Sequence, residues 1–204
     1  MLSALDVNIK QYFRTLTLSF VCLITALVTP QGFATETNKA NPTVTLTTDM
    51  GNIVIELYPD AAPISVRNFL NYVRSGYYEN TLFHRVIPNF MIQAGGFNEQ
   101  MQRKETDAPI QNEANNGLKN QRGTIAMART NQVHSATSQF FINVVDNNYL
   151  NHSPSSFGYA VFGRVIEGME IADNISKVST GYYQGMQNVP VTPIKITKAT
   201  IKSP

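Results

Sequence analysis

The chain has 204 residues, of which 43% are hydrophobic and 15% charged, enough for one domain with a buried core. These fractions are ordinary for a globular protein and exclude disordered, collagen-like and multi-span membrane classes. Sixteen basic and 14 acidic residues leave a net charge of +2, and because they are scattered along the chain they predict no nucleic-acid-binding surface.

The first residues have the order typical of an export signal. Basic residues precede an apolar run over residues 16–28, and the small residue Ala34 follows a proline and a glycine. This pattern predicts a signal peptide over residues 1–34 that is cleaved after Ala34, followed by a polar linker over residues 35–42. The predicted location is the periplasm, with release to the medium as an open alternative.

Two other interpretations of this segment are weaker. The apolar run is shorter than the roughly 20 residues that span a bilayer, which disfavours a retained anchor. Cys22, the only cysteine, follows the large residues Phe20 and Val21, whereas a lipidated cysteine follows small ones. Cleavage would leave a mature chain without a thiol, with no stable membrane association and with a stability that depends on its core.

A β-hairpin and a helix are predicted next. Val44 and Leu46 alternate with threonines, and after a turn containing Gly51 the alternation resumes, which indicates two paired strands. Beyond Pro63, apolar residues recur with helical spacing up to a stop at Gly76: Val66, Phe69, Leu70 and Val73.

The rest of the chain predicts short strands of one antiparallel sheet or barrel and a second helix. Apolar runs occur at residues 82–87, 90–94, 124–128, 140–144 and 159–162. Helical spacing after Gly168 involves Ile171, Ala172, Ile175 and Val178. A last strand begins at Ile194, and Ala199 is out of phase with it, which predicts a bulge. The fold class is mainly β with two helices.

The common catalytic constellations are missing from the sequence. His84, His134 and His152 do not have the spacing of zinc ligands, and neither a Gly-x-Ser-x-Gly elbow nor a Gly-rich phosphate loop occurs. No metal and no cofactor are predicted. A secreted hydrolase that uses His134 or His152 is a weak alternative, because no activated nucleophile accompanies them.

Arg85 and Gln93 are unusual among their neighbours. Each lies in an apolar run that is otherwise typical of a buried strand, where an arginine is costly unless a function uses it. The phenylalanines and Met91 around them are equally consistent with core packing.

These runs resemble the signature of the cyclophilins, and most closely that of exported bacterial cyclophilins. The matching blocks are residues 83–93 (FHRVIPNFMIQ), 126–129 (AMAR), 138–142 (SQFFI) and 161–169 (VFGRVIEGM). The similarity extends from Thr43 to the C-terminus. It implies a domain over residues 43–204, a closed eight-stranded antiparallel β-barrel capped by two α-helices, and peptidyl-prolyl cis/trans isomerase activity on proline-containing unfolded or exported polypeptides, which would assist their folding.

The resemblance also implies a role for each site residue. Arg85 would be the catalytic arginine and Gln93 would hydrogen-bond the substrate backbone. The proline pocket would be lined by Phe90, Met91, Phe141 and Leu150, and the adjoining groove by Ala128, Arg129 and Gln139. Simple alternation places Phe90 opposite Met91, so the pocket role of Phe90 depends on the resemblance alone.

Two positions depart from the family pattern. Tyr149 occupies the position where many eukaryotic cyclophilins have a tryptophan that contributes to cyclosporin binding, so weak cyclosporin binding is expected. Tyr159 replaces the pocket histidine of the family. His84 is expected to point into the structure and His134 to be exposed.

The implied mechanism is non-covalent and needs no cofactor. Rotation about an X-Pro bond is opposed by amide resonance of roughly 18–20 kcal/mol, and a site that binds the twisted amide best accelerates it. The alternative is a proline-peptide-binding chaperone module without significant turnover. No oligomer interface is indicated, so a monomer is expected.

Overall fold

The computed structural model describes residues 40–202. The predicted signal peptide over residues 1–34 lies outside this range and stays a prediction, as does most of the linker. In chain order the described elements are β1 (Thr43–Thr48), β2 (Gly51–Leu57), α1 (Pro63–Arg74), β3 (Thr81–Leu82), β4 (Arg85–Ile87), β5 (Met91–Ala94), β6 (Thr124–Met127), β7 (Phe140–Asn143), a 3-10 helix (Asn148–Leu150), β8 (Val161–Glu167), α2 (Met169–Ser176), β9 (Thr180–Tyr183), β10 (Met186–Pro190) and β11 (Lys195–Lys202).

The main sheet is antiparallel and its strand order is β3-β11-β1-β2-β8-β6-β7-β5-β4. The predicted hairpin is confirmed, since β1 pairs with β2 from Thr43 opposite Glu56 to Thr48 opposite Gly51. The predicted bulge in the last strand is also confirmed: Thr47 pairs with Lys198 but Thr48 pairs with Ile196, which leaves one extra residue in β11.

The mainly-β class with two helices is confirmed, but the expected closed eight-stranded barrel is corrected. The main sheet has nine strands in the described residues and curls into a half-barrel. Its two edge strands, β3 and β4, are consecutive in the chain. The amide of Leu82 donates to the Phe97 carbonyl and that of Phe83 to the Ile194 carbonyl, so these donors are not available to a β3–β4 ladder.

Several predicted boundaries shift for local reasons. The run at 82–87 is two strands rather than one, interrupted at Phe83 and His84. The strand predicted at 159–162 begins at Val161 and extends to Glu167. The prediction stopped too early because the second half of this strand lies near the surface and has no alternating apolar pattern. The second helix ends at Ser176, before Val178. None of the helices within residues 40–202 has the length and apolarity needed to cross a bilayer.

The core fills the concave side of the sheet beneath the two helices. Phe69 of α1 is fully buried at its centre, and its ring lies 5.2–5.4 Å from the rings of Tyr78, Phe140 and Phe162. Aromatic pairs at this distance add to the stabilisation that comes from burying their area. The core holds the strands from one side and leaves the other face of β4–β7 available for a site.

Glu113 caps helix α1 from a distant loop. The residue before the helix, Ala62, provides no side-chain cap. Instead Glu113 Oε1 accepts a hydrogen bond from the amide of Ile64 (3.0 Å), and Oε2 accepts from the amide and the hydroxyl of Ser65 (both 2.7 Å). A carboxylate at a helix N-terminus satisfies free amides and interacts favourably with the helix dipole.

We therefore expect Glu113→Ala to lower the free energy of unfolding by about 2 kcal/mol, since it removes a charged cap. Urea unfolding followed by circular dichroism measures the loss. Glu105→Ala, at an exposed loop position, is the matched control and should change stability by about 0.5 kcal/mol or less. A loss at Glu113 no greater than that of the control would show that the cap does not stabilise the fold.

Candidate active site

A second apolar cluster lies on the face of the sheet opposite the core. Successive strand residues point to opposite faces, so Ile92 and Ile142 enter the core while their neighbours Met91 and Phe141 point outward. With Ala126 and Val161 they form a separate buried cluster, and the partly buried residues packed on it include Phe90, Ala128, Leu150 and Tyr159.

Strand register aligns the polar residues with this cluster. Arg85 of β4 is directly opposite Gln93 of β5, and Gln93 is opposite Phe141 of β7. Directly opposed residues on one face have neighbouring side chains. The three side chains therefore form one row across the outer face.

The row borders a small cavity of about 90 Å³. It is lined by two guanidinium groups, one amide and several apolar or aromatic groups: Arg85, Phe90, Met91, Gln93, Ala128, Arg129, Phe141, Leu150 and Tyr159. This volume is well below the roughly 300–1,000 Å³ of pockets for drug-sized ligands, so the cavity suits one small apolar ring.

Phe90 reaches this cavity although strand alternation places it opposite Met91. The reason is that β5 begins at Met91, and Phe90 belongs to the preceding turn. Asn89 has a φ of 57°, in the left-handed region, and the Phe90 amide donates to the Ile87 carbonyl at 3.2 Å. The turn redirects the Phe90 ring to the same side as Met91.

A chain of side-chain hydrogen bonds orders the polar edge of the cavity. Arg85 Nη1 donates to Gln93 Oε1 at 3.4 Å, and Gln93 Nε2 donates to Gln139 Oε1 at 2.8 Å. Gln139 thus supports Gln93 and lines the neighbouring groove, but it does not line the cavity itself. Gln93 therefore borders both cavities and Gln139 only the groove, while the substrate-binding roles predicted for them stay predictions.

Tyr149 and Tyr159 lie in different surroundings. Tyr149 is 69% exposed, and its ring lies 5.8 Å from that of Phe90, beside the cavity rather than in its wall. Tyr159 is part of the wall, with its ring 5.7 Å from Phe141 and 4.6 Å from the Arg129 guanidinium. The Tyr159 ring therefore gives the Arg129 guanidinium an aromatic surface on which to stack.

Sequence reasoning missed a buried network of three asparagines behind the cavity. Asn143 Nδ2 donates to Asn120 Oδ1 (3.2 Å) and to Thr124 Oγ1 (2.9 Å), and Asn147 Nδ2 donates to Asn143 Oδ1 (2.7 Å). All three asparagines are nearly or fully buried. Their mutual hydrogen bonds satisfy polar groups that would otherwise be costly inside the protein.

The network also holds the backbone of three cavity-lining residues. Asn147 Nδ2 donates to the Phe90 carbonyl (2.9 Å), and Asn120 Nδ2 donates to the carbonyls of Leu150 and Tyr159 (both 3.2 Å). These asparagines are therefore positioning residues. No periodic signal in the sequence joins positions so far apart.

None of the three histidines lines the cavity. His134 is exposed, as expected, and its Nδ1 accepts a hydrogen bond from the Asn112 amide at 3.1 Å. His152 is exposed, with Nδ1 2.9 Å from the Phe157 carbonyl. Among residues 40–202 no three His, Cys, Asp or Glu side chains are grouped as metal ligands.

His84 is buried, as expected, with its ring 4.6 Å from that of Phe97. Burial lowers the pKa of His84 to about 4, and the charges of Arg103 and Arg85 act in the same direction, although the Leu82 backbone and the Gln139 side chain oppose it. The folded protein therefore keeps His84 neutral in a pH range where the unfolded chain protonates it.

This difference predicts a pH dependence of stability. The contribution of neutral His84 is fully present above pH 6.5 and is lost as the pH falls from 6.5 to about 4. Between pH 7.5 and 4, we expect the unfolding free energy of the wild type to fall by about 3 kcal/mol more than that of His84→Gln. Denaturant unfolding across this range measures both slopes, and parallel slopes would contradict the prediction.

Comparisons with known proteins point to one family. Residues 43–201 match the family model described as cyclophilin type peptidyl-prolyl cis-trans isomerase/CLD. A peptidyl-prolyl cis-trans isomerase of Acinetobacter baylyi is 59% identical over 80% of this chain and 87% of its own. Peptidyl-prolyl cis-trans isomerase B of Escherichia coli is 55% identical over 78% of this chain and 98% of its own.

A solved structure supports the same fold. It is a cyclophilin type peptidyl-prolyl cis-trans isomerase of Cryptosporidium parvum, crystallised in the presence of the dipeptide Ala-Pro. The TM-score is 0.68 at 28% identity, and the match covers 79% of this chain and 99% of the other.

Proposed function

This chain belongs to the cyclophilin family of peptidyl-prolyl cis-trans isomerases, and from that premise we propose that Arg85 is the centre of a non-covalent mechanism acting on exported polypeptides. The observation that carries the mechanism is the placement of the Arg85 guanidinium at the edge of a small apolar cavity. The Cryptosporidium relative, crystallised in the presence of Ala-Pro, supports a proline as the occupant.

The cavity holds the proline ring. Phe90, Met91 and Phe141 form its apolar walls, so the ring is fixed while the residue before it turns. Gln93 lies beside Arg85 and offers an amide to the substrate backbone, and Gln139 holds that amide in place. Fixing both sides of the rotating bond favours the orientation from which it twists.

Arg85 stabilises the twisted state. As the C–N bond rotates, resonance is lost and the proline nitrogen becomes a pyramidal amine with a lone pair. The guanidinium donates a hydrogen bond to that lone pair, which is not available in either planar isomer. The contact is therefore stronger in the transition state than in the ground state, as catalysis requires.

The energy required is modest. An acceleration of about five decades corresponds to about 7 kcal/mol of differential stabilisation. A charge-assisted hydrogen bond combined with orientation is sufficient in principle for this amount. The site therefore needs neither a nucleophile nor a proton transfer.

A short Ala-Pro reporter peptide tests the activity. The purified chain should accelerate cis/trans exchange of the peptide at catalytic concentrations. The competing function, a proline-peptide-binding chaperone module, predicts saturable binding of the same peptide without acceleration. Measuring both quantities on one preparation separates the two.

Export is the second part of the proposal. The basic residues, apolar run and Ala34 support a signal peptide over residues 1–34, a linker over 35–42 and an isomerase domain over 43–204. The substrates would then be exported proteins that fold in the periplasm. Expression of the full chain in a bacterium with two membranes, followed by mass spectrometry of the periplasmic fraction, should give an N-terminus at Thr35. Recovery only in the cytosol with residues 1–34 retained would contradict export.

Tyr149 should keep cyclosporin binding weak. The residue is exposed beside Phe90, where a larger indole with an N–H donor would add contact area and a hydrogen bond. We expect Tyr149→Trp to tighten cyclosporin binding by about tenfold, which corresponds to one aromatic contact and one hydrogen bond. Titration calorimetry measures the change, with Tyr182→Trp, at another exposed tyrosine, as the control. Equal affinities for wild type and Tyr149→Trp would contradict this role.

A further inference from the structure

A second groove continues directly from the proline cavity. Its volume is about 160 Å³, and it shares Gln93, Ala128 and Arg129 with the cavity. The remaining lining is polar: Arg103, Thr130, Ser135, Thr137 and Gln139. We name it the basic groove because its two charged residues, Arg103 and Arg129, are both arginines.

No carboxylate forms an ion pair with the two arginines of the basic groove in the described residues. In residues 40–202 the three ion pairs are Arg122 with Asp173, Arg164 with Glu56, and Lys195 with Glu99. Neither Arg103 nor Arg129 takes part in them, and no Asp or Glu lines the groove. Arg85, at the edge of the adjoining cavity, adds a third positive charge of the same kind.

Arg129 is held in a fixed position. Its Nε donates to the Gly158 carbonyl at 3.1 Å, its Nη1 donates to the Thr130 carbonyl at 2.9 Å, and its guanidinium stacks on Tyr159 at 4.6 Å. Nη2 makes no hydrogen bond within the described part of the chain. A charge that is already oriented loses little entropy when a ligand binds.

Arg103 borders the other side of the groove. It is exposed, and its guanidinium lies 5.4 Å from the centre of the Phe97 ring. Thr130 and Ser135 also line the groove; their hydroxyl oxygens are 2.8 Å apart, and Ser135 Oγ donates to the Gln132 carbonyl at 2.7 Å. Because these hydroxyl protons are engaged within the protein, the two guanidinium groups are the charged donors that a carboxylate would meet in the groove.

The geometry of the proposed mechanism sets which part of a substrate reaches the basic groove. Arg85 donates to the proline nitrogen, so the bond to the preceding residue lies on the side of Arg85 and Gln93. Gln93 borders both the cavity and the basic groove. The chain that precedes the proline is therefore directed toward Arg103 and Arg129.

We propose that the basic groove selects substrates with an aspartate or glutamate two or three residues before the proline, and that Arg103 and Arg129 determine this preference. The inference depends on the proposed function, since it requires the proline to occupy the adjoining cavity. A lysine at the same positions is disfavoured by the same charges. The preference is electrostatic, so salt weakens it.

A peptide series tests the preference. Reporter peptides that differ only at the second residue before the proline carry Asp, Ala or Lys, and kcat/KM is measured with the purified chain in about 20 mM and about 1 M salt. At low salt we expect Asp to exceed Lys by about tenfold, as for close charge pairs at a partly exposed site. At 1 M salt, where the screening length is about 3 Å, the ratio should fall to about two.

Charge reversal identifies the residue responsible. Arg103→Glu should lower the Asp-to-Lys ratio to near one, because the new carboxylate offsets the positive charge that Arg129 and Arg85 retain. Arg67→Glu is the matched control, because Arg67 is exposed on α1 and its reversal changes the net charge equally. This control should keep the wild-type order.

The outcomes separate this inference from the proposed function. Equal turnover of the Asp, Ala and Lys peptides by the wild type, or an unchanged Asp-to-Lys ratio in Arg103→Glu, would overturn the proposed acidic preference alone. Turnover of none of the peptides, including the Ala-Pro reporter, would overturn the proposed function as well.

Discussion

Arg85→Ala should lower kcat/KM for an Ala-Pro reporter by about two to three orders of magnitude, which is typical when a preoriented transition-state donor is removed. The loss should be mainly in kcat, because the contact to the proline nitrogen forms only in the twisted state. The apolar walls of the cavity remain, so peptide binding should change little. A coupled or NMR-detected exchange assay measures kcat and KM separately.

Two further variants make this result specific. Arg85→Lys should recover only part of the activity, since an ammonium lacks the planar, fixed donors of a guanidinium. Arg67→Ala, at an exposed position on α1, should leave kcat/KM unchanged. Wild-type kcat in Arg85→Ala would show that the walls and Gln93 alone are sufficient for catalysis and that the arginine-centred mechanism is wrong.

Asn143→Ala should destabilise the protein by about 3 kcal/mol and also reduce activity. The substitution removes hydrogen bonds to Asn120, Thr124 and Asn147 and leaves buried polar groups without partners. Because Asn147 and Asn120 hold the carbonyls of the cavity wall, the wall should lose its fixed position. We expect kcat/KM to fall by about tenfold at a temperature where the variant remains folded, because small misplacements of binding groups reduce catalytic rates.

The combination of both effects distinguishes a positioning network from ordinary core packing. Asn174→Ala, at an exposed site of α2, should change stability by about 0.5 kcal/mol or less and leave activity unchanged. Phe69→Ala, in the core away from the cavity, should lower stability by about 3–5 kcal/mol but leave kcat/KM of the folded fraction near wild type. Asn143→Ala with normal kcat/KM would contradict the positioning role.

Local sequence patterns were sufficient to predict the elements in which buried and exposed residues alternate. The β1–β2 hairpin and α1 are half-buried, and their apolar spacing reports the period of the strand or helix directly. The hairpin of β9 and β10 was missed because three of the four residues of β9 are exposed and neither strand has an alternating apolar pattern. Gly185, which has a φ of 85° in the turn, is a turn signal in the sequence, but no alternating apolar residues flank it.

Barrel closure was beyond local reasoning for a different reason. Whether the edge strands β3 and β4 pair depends on where the amides of Leu82 and Phe83 find acceptors, and these acceptors come from distant segments, at Phe97 and Ile194. Sequence spacing does not encode such contacts.

The candidate site also contains residues that the sequence pattern predicts and residues that depend on contacts between distant segments. Arg85 and Gln93 were identified because a polar residue in an apolar run demands an explanation. Their side-by-side arrangement follows from the β4–β5 register, which no pattern on one strand determines. Phe90 required the resemblance, since only the turn at Asn89 reverses its direction. Arg103 was missed because a single exposed arginine in a loop is common.

The Arg85-centred mechanism is tested most directly by measuring binding and bond rotation in the same sample. Two-dimensional NMR exchange spectroscopy on a proline peptide, with wild type and Arg85→Ala, gives the dissociation constant and the cis/trans exchange rate of the bound peptide. The mechanism predicts that the variant keeps its dissociation constant within about threefold while bound-state exchange falls by about 100-fold or more. Equal exchange rates in the two proteins, or binding to wild type without accelerated exchange, would contradict it.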